Sequence, residues 1–102
     1  MLALVLTLLT ALPVAVNDDA SDAANEAWRR GDAASAISMW EAQLSDPMTS
    51  SLERARLCHN LGNAAFHRKD PHEAIAWYTA GLRLDSRRSD TFENLEFARL
   101  QV

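Results

Sequence analysis

Histidine and cysteine are the side chains of this chain best suited to chemistry, and four of them stand near one another in the sequence. The histidines are His59, His67 and His72, and Cys58 is the single cysteine. His59 and His67 are about two turns of one helix apart, which is too far for a shared metal ion. His67 and His72 could approach each other across a turn, but no third ligand follows at a suitable spacing. We therefore expect no metal site.

The remaining patterns do not predict an enzyme. Cys58 falls among apolar residues at helical spacing, so we expect a small buried side chain rather than a nucleophile. One cysteine cannot form an internal disulfide. The sequence contains no glycine-rich phosphate loop and no nucleophile elbow, and its carboxylates stand mostly at helix caps and on outer helix faces. We expect no catalytic residue and no cofactor.

Apolar residues at helical spacing predict the helices that would position any binding residue. One stripe consists of Cys58, Leu61, Ala65 and Phe66, and a second consists of Ala74, Ile75, Tyr78 and Leu82. Between the stripes, Asp70 and Glu73 form a capping-box pattern, and Pro71 suits a first helical turn. The connecting loop, about residues 67–70, is short enough to require an antiparallel pair of helices.

A glycine inside the first of these helices predicts a close contact with the second. Gly62 costs its helix about 0.5–1 kcal/mol relative to alanine. Close approach of the neighbouring helix would offset that cost, and we expect Ala74 to be the small residue opposite.

The same pattern occurs twice along the chain. Residues 31–40, Gly-Asp-x-x-x-Ala-Ile-x-x-Trp, parallel residues 69–78, Lys-Asp-x-x-x-Ala-Ile-x-x-Tyr. One unit then begins near Asn17 and the next near Ala55. Residues 45–50 are rich in turn formers and hold extra length between the units. After Arg88, a stripe of apolar residues predicts a fifth helix with Ser89 or Asp90 as its cap; the stripe contains Phe92, Leu95, Ala98 and Leu100.

These motifs resemble the tetratricopeptide repeat, a helical hairpin with a period of about 34 residues. The resemblance rests on Asn-Leu-Gly-Asn-Ala-Ala-Phe at residues 60–66, followed by the segment 70–78, and it covers residues 18–101. It implies an all-α fold of antiparallel hairpins, with two pairs and an unpaired C-terminal helix, in a domain spanning residues 17–102. The opening helix carries alanines in place of bulkier side chains, and we expect Trp28 to compensate. The alternative is an unrelated bundle of four or five helices.

The resemblance also implies which residues bind. Tetratricopeptide proteins bind other proteins on a concave face lined by the first helix of each pair. The positions on that face are Asn25, Arg29, Arg56, His59, Asn60, Asn63, Phe66, His67, Asp90 and Asn94. Asn25 with Asn60, and Asn63 with Asn94, match positions at which family members hold a peptide backbone, a task suited to amides that both donate and accept. The alternative is that the asparagines hydrogen-bond between adjacent helices or face water.

Two departures from the family limit the ligand. Chaperone-binding members hold a C-terminal carboxylate with basic residues, and Ser21 and Asp90 stand at two of those positions. An acidic chaperone tail is therefore not the expected ligand. The net charge of −4 also argues against a general phosphate-binding surface, so we expect no nucleic acid as partner.

The first sixteen residues differ from the rest in composition. Residues 2–16 carry no charge and consist mostly of Leu, Val and Ala, which resembles the apolar region of a secretory signal peptide. This run is shorter than the roughly 20 residues of a membrane-spanning helix. We expect export to the periplasm. The alternatives are an uncleaved inner-membrane anchor facing the periplasm, a mis-assigned start codon, and a cytoplasmic protein with an N-terminal apolar helix.

The sequence as a whole predicts a non-enzymatic module of the bacterial cell envelope that binds a protein or an extended peptide. The apolar leader, the Asn-Leu-Gly-Asn-Ala segment and residues 94–99 are also similar to the repeat portion of the BatE proteins linked to aerotolerance. A second hypothesis is a self-assembly module. In that case an apolar edge of the last helix, formed by Phe92, Leu95 and Leu100, would pair with another copy of the chain.

Overall fold

The computed structural model describes residues 19–102, and this part of the chain has an all-α fold, as predicted. The described residues form five helices and no strand: α1 Asp19–Arg29, α2 Ala33–Ser45, α3 Ser51–His67, α4 Pro71–Leu84 and α5 Ser89–Arg99. The predicted leader, residues 1–16, lies outside the described residues. Within the part that the structure describes, no helix combines the length and the apolar character needed to cross a bilayer.

The turns after α1 and α3 have the same backbone hydrogen bonds. The Asp32 N–H donates to the Ala27 carbonyl at 2.9 Å, and the Asp70 N–H donates to the Ala65 carbonyl at 2.9 Å. The residue before each aspartate has a positive φ, 88° at Gly31 and 68° at Lys69. The donor, the acceptor and the positive-φ residue have the same spacing in both turns, so the two copies of the sequence pattern begin with the same backbone turn.

Each of these turns ends in a capping aspartate. An oxygen of Asp70 accepts a hydrogen bond from the Glu73 N–H at 3.1 Å, which confirms the predicted cap of α4. The expected capping box is not closed, because the Asp70 N–H is already bonded to Ala65. The Glu73 carboxylate instead pairs with Arg68 at 2.7 Å and accepts from the Trp77 indole at 3.2 Å.

The predicted cap of α5 is wrong. The N-cap position is Arg88, and its side chain makes no capping hydrogen bond. Ser89 is the first helical residue, and the Asp90 carboxylate is held by the Arg88 guanidinium at 2.8 Å. Asp90 also accepts from the N–H of its neighbour Thr91 at 2.8 Å. Its carboxylate therefore fixes the first turn of α5 from inside the helix.

The longer connection between α2 and α3 is closed by one arginine. The Arg54 guanidinium donates to three carbonyls, those of Leu44 at 2.5 Å, Asp46 at 2.9 Å and Thr49 at 3.2 Å. A planar group with five donors can satisfy several carbonyls at once, including one left open at the end of α2. We call this set of bonds the Arg54 clasp. It orders the extra residues that the sequence predicted between the two units.

Two clusters of buried side chains form the core, and α3 contributes to both. The first joins α1, α2 and α3 through Ala24, Ala27, Ala36, Trp40, Leu57, Leu61 and Ala64. The second joins α3, α4 and α5 through Ala65, Ala74, Tyr78, Leu95 and Ala98. The alanines of α1 allow close packing, and Trp28 fills the space beside them, with its ring centroid 5.8 Å from that of Trp40.

Glycines mark the closest contacts between α3 and α4, which pack together more extensively than any other pair of described helices. A Cβ built on Gly62 would lie within 3.0 Å of three atoms of the Tyr78 ring. The close approach at Gly62 is confirmed, but Tyr78 rather than Ala74 is its nearest neighbour. Gly81 approaches α3 from the other side, where an added Cβ would lie 3.2 Å from the Cys58 Cβ and 3.3 Å from the Ala55 carbonyl.

Candidate binding groove

Helices α3 and α5 lie side by side, and three pairs of residues join them in order. His59 Nδ1 is 2.8 Å from Thr91 Oγ1. One turn further on, Asn94 donates to Asn63 at 3.0 Å. After another turn, the rings of Phe66 and Phe97 meet with centroids 5.5 Å apart. The pairs advance in the same direction along both helices, so α3 and α5 run parallel and fix each other's register.

The last two pairs lie in a groove of about 250 Å³. Side chains from four helices line it, one from α1, three from α3, one from α4 and two from α5. The lining residues are Trp28, Asn63, Phe66, His67, Tyr78, Asn94 and Phe97. The groove is therefore built from residues that are distant in the sequence and that the helix packing brings together.

A hydrogen-bonded group of three polar side chains lies in the lining of this groove. Asn63 Oδ1 accepts from the Tyr78 hydroxyl at 2.5 Å and from Asn94 Nδ2 at 3.0 Å. Burial raises the pKa of Tyr78 to about 12, against the smaller opposing effect of a hydrogen bond with Asn94. The phenol is therefore protonated at neutral pH and can serve as a donor. Among the described residues, no hydrogen bond uses Asn63 Nδ2 or Asn94 Oδ1, so an amide NH2 group and an amide oxygen remain unused in the groove lining.

Aromatic rings form the rest of the lining. Phe66 and Phe97 meet at an interplanar angle of 54°. Trp28 meets His67 edge-on, with ring centroids 5.5 Å apart. A surface with apolar walls and a few polar groups is typical of sites that bind the apolar part of a ligand and orient the ligand through hydrogen bonds to its polar groups.

The structure divides the predicted binding residues into three groups. Asn63, Phe66, His67 and Asn94 line the groove. His59 and Asn60 are interior residues, with only 4% and 6% of their surfaces exposed, so direct contact with a partner would require the helices to part. The other predicted residues are partly or fully exposed and do not line the groove; they are Asn25, Arg29, Arg56 and Asp90.

Trp28, Tyr78 and Phe97 are lining residues that the sequence did not assign to binding. Their helical spacing predicts a core role, and for Tyr78 this is correct, since the residue is 2% exposed. Its hydroxyl nevertheless reaches Asn63 in the groove. The sequence contained one clue to the role of Phe97. Phe66 and Phe97 are separated by the same number of residues as Asn63 and Asn94, so the two rings could have been expected to lie side by side.

Within residues 19–102, no three His, Cys, Asp or Glu side chains are grouped as a metal site would require. Cys58 is free and buried, and burial raises the pKa of its thiol. A thiol with a raised pKa forms little thiolate at neutral pH and is a poor nucleophile.

No family model matches the sequence, and no curated protein is significantly similar to it. A functional proposal therefore rests on the geometry of the groove and on the motifs of the sequence.

Proposed function

We propose that this chain is a tetratricopeptide-like module without enzymatic activity that binds an extended peptide or protein segment in the groove between α1, α3 and α5. The observation that carries the proposal is the pairing of Asn63 with Asn94 beneath aromatic walls. The unused amide donor and acceptor match the C=O and N–H of a peptide backbone. The aromatic walls match an apolar side chain of the same peptide.

The packing of α3 on α4 supports the tetratricopeptide-like arrangement. Gly62, in the second half of α3, approaches Tyr78, whereas Gly81, further along α4, approaches Cys58 and Ala55 in the first half of α3. Contacts in this reversed order are those of an antiparallel hairpin. The turn after α1 repeats the backbone hydrogen bonds of the turn after α3, which supports a second hairpin formed by α1 and α2.

Two phenylalanines of α5 allow a matched test of this proposal. Phe97 lines the groove and Phe92 does not, and their exposed fractions are 55% and 54%. Peptides would first be selected from a displayed random library on the purified full-length chain. We expect Phe97→Ala to weaken binding of the selected peptides by roughly tenfold or more, as loss of an aromatic anchor does. Phe92→Ala should leave it unchanged.

The measurement is a titration of each selected peptide by fluorescence anisotropy, with thermal unfolding of both variants recorded in parallel. Equal losses of peptide affinity in Phe97→Ala and Phe92→Ala would contradict groove binding, as would failure to select any peptide.

Periplasmic or membrane-anchored localisation is part of the same proposal and rests on residues 1–16 alone. N-terminal sequencing of the protein from its cells tests it.

Self-association is a second candidate function, favoured by the apolar residues that lie exposed on α5 and just after it. Phe92, Leu100 and Val102 are all more than half exposed. Leu95, which the sequence placed on this edge, is instead buried in the core. If the edge joins two copies, sedimentation velocity should show a dimer that Phe92→Glu with Leu100→Glu converts to a monomer. A monomer at every concentration of the unmodified chain would exclude this function.

A further inference from the structure

The contact between His59 and Thr91 is buried and polar, and it joins two helices. His59 Nδ1 lies 2.8 Å from Thr91 Oγ1. Thr91 is fully buried, and His59 is nearly so. A buried polar group that loses its partner is unfavourable because no water replaces the hydrogen bond. The contact therefore holds α5 in one position on α3.

Charged groups surround the other side of the imidazole. His59 Nε2 is 3.7 Å from Asp90 Oδ2, and Arg88 pairs with the same carboxylate at 2.8 Å. From α4, the ring of Tyr78 lies 6.0 Å away and is uncharged. Within the described residues, no charged group of α2 or α4 is among the causes that shift the His59 pKa. Burial lowers that pKa, Asp90 opposes the effect, and Arg88 adds to it.

The geometry assigns roles to the two ring nitrogens of neutral His59. In the tautomer with its proton on Nε2, that proton faces the Asp90 carboxylate and Nδ1 accepts from the Thr91 hydroxyl. A second proton turns Nδ1 into a donor, and the hydroxyl must rotate to accept from it. The hydroxyl hydrogen then has Asp90 Oδ1 as its acceptor, 3.5 Å away. The result is a cation with little access to water and a long hydrogen bond beside it.

We propose that the His59–Thr91 contact positions α5 on α3 and that protonation of His59 loosens α5. Since α5 carries Asn94 and Phe97, loosening it opens one wall of the groove. The movement of α5 is independent of any ligand. Its consequence for peptide binding rests on the proposed function, so the two are tested separately.

Amide hydrogen exchange measured by NMR on the full-length chain tests the movement. Between pH 7.5 and pH 5, protection of the α5 amides, corrected for intrinsic exchange, should fall relative to that of α4. The fall should follow protonation of the His59 imidazole, which is measured separately from the NMR signals of its ring. Constant α5 protection, or a fall that follows another histidine, would overturn the proposal.

Substitutions separate a positioning role from a general loss of stability. In His59→Asn the pH dependence of α5 protection should disappear, whereas His72→Asn, at an exposed site, should keep it. Thr91→Val should lower α5 protection roughly tenfold relative to α4 at pH 7.5, the size of effect expected when one buried polar group is left unpaired. Thr91→Ser restores the hydroxyl and should recover most of the loss.

Equal α5 protection in Thr91→Val and the unmodified chain would also reject the positioning role. If His59→Asn does not fold, the positioning role is still tested by comparing Thr91→Val with Thr91→Ser and by following protonation of His59 in the unmodified chain. In a separate arm, a selected peptide should bind more weakly at pH 5 than at pH 7.5 in the unmodified chain but not in His59→Asn. Failure of that arm alone, with α5 loosened as expected, would count against the groove and not against the contact.

Discussion

At the scale of single residues, the two matching turns differ in one position that matters energetically. Gly31 and Lys69 both adopt positive φ, 88° and 68°. Glycine accepts this conformation at little cost, whereas a side chain with a Cβ pays roughly 1–2 kcal/mol. The second turn keeps the conformation because the Asp70 N–H and the Asp70 carboxylate are both engaged in hydrogen bonds. Lys69 therefore holds a strained backbone that its neighbours impose.

Replacing Lys69 with glycine should stabilise the protein. We expect Lys69→Gly to raise the free energy of unfolding by about 0.5–1 kcal/mol, because relief of strain exceeds the added entropy of the unfolded chain. Gly31→Ala should lower it by about 1 kcal/mol. Urea unfolding followed by circular dichroism measures both, with Lys69→Ala as the control that removes the ammonium but keeps the strain. A Lys69→Gly variant no more stable than Lys69→Ala would contradict this account.

At the scale of helices, the sequence predicted where α3 and α4 touch but not which side chain fills the contact. A glycine amid a helical stripe requires a close neighbour, and the structure confirms one. The stripe on α4 contains Ala74 and Tyr78 one turn apart, and helical spacing alone cannot decide which of them lies against Gly62. The register is set by the tyrosine hydroxyl, which bonds to Asn63, a long-range contact that local patterns do not contain.

The two glycines of this contact should respond differently to an added methyl group. In Gly62→Ala the new Cβ meets a tyrosine ring held by its hydroxyl. We therefore expect overpacking to lower the free energy of unfolding by about 1–3 kcal/mol. In Gly81→Ala the nearest atoms lie at 3.2 and 3.3 Å, and the gain in helix propensity of about 1 kcal/mol offsets much of the crowding. Thermal unfolding of both variants compares them directly. Similar stabilities for the two would disprove the close contact at Gly62.

At the scale of the whole molecule, both core clusters share α3, and α5 depends on α3 and α4 for all its packing among the described helices. The polar contacts at the start of α5 converge on one carboxylate. A hydrogen bond from Arg88, aided by the charge of His59, lowers the pKa of Asp90 to about 2. A carboxyl group whose pKa is lower in the folded chain stabilises folding when it is ionised. That contribution is present above the ordinary value of 3.8 and is lost as the pH falls towards 2.

Acid sensitivity of the whole fold should therefore depend on Asp90. Between pH 4 and pH 2 the urea midpoint of the unmodified chain should fall more steeply than that of Asp90→Asn, which has no carboxyl group to protonate. Glu93→Gln, an exposed acid on the same helix, serves as the control and should retain the steep fall. Because the Asp90 side chain is 54% exposed, solvent screening keeps the effect modest. Parallel curves for the unmodified chain and Asp90→Asn would contradict the assignment.

The parts of the fold that follow from local patterns were predictable, and those that depend on long-range geometry were not. Helical spacing and capping residues predicted the five helices and the repeated turn, because both act within a few residues. The burial of His59 and Asn60 depends on how α5 packs on α3, and the spacing of residues within one helix cannot predict that packing. Asn63 and Asn94 form a hydrogen bond between adjacent helices, which the sequence analysis gave as the alternative to contact with a ligand. The aromatic walls from Trp28 and Phe97 became visible only in three dimensions.

The Arg54 clasp affects how rigidly α2 is held relative to α3. The connection between α2 and α3, residues 46–50, would ordinarily let neighbouring units tilt freely. With three carbonyls from both ends of the connection fixed to one rigid guanidinium, that freedom is removed. The clasp therefore helps to determine how far Trp28 lies from Asn94 across the groove, although Arg54 is not among the lining residues.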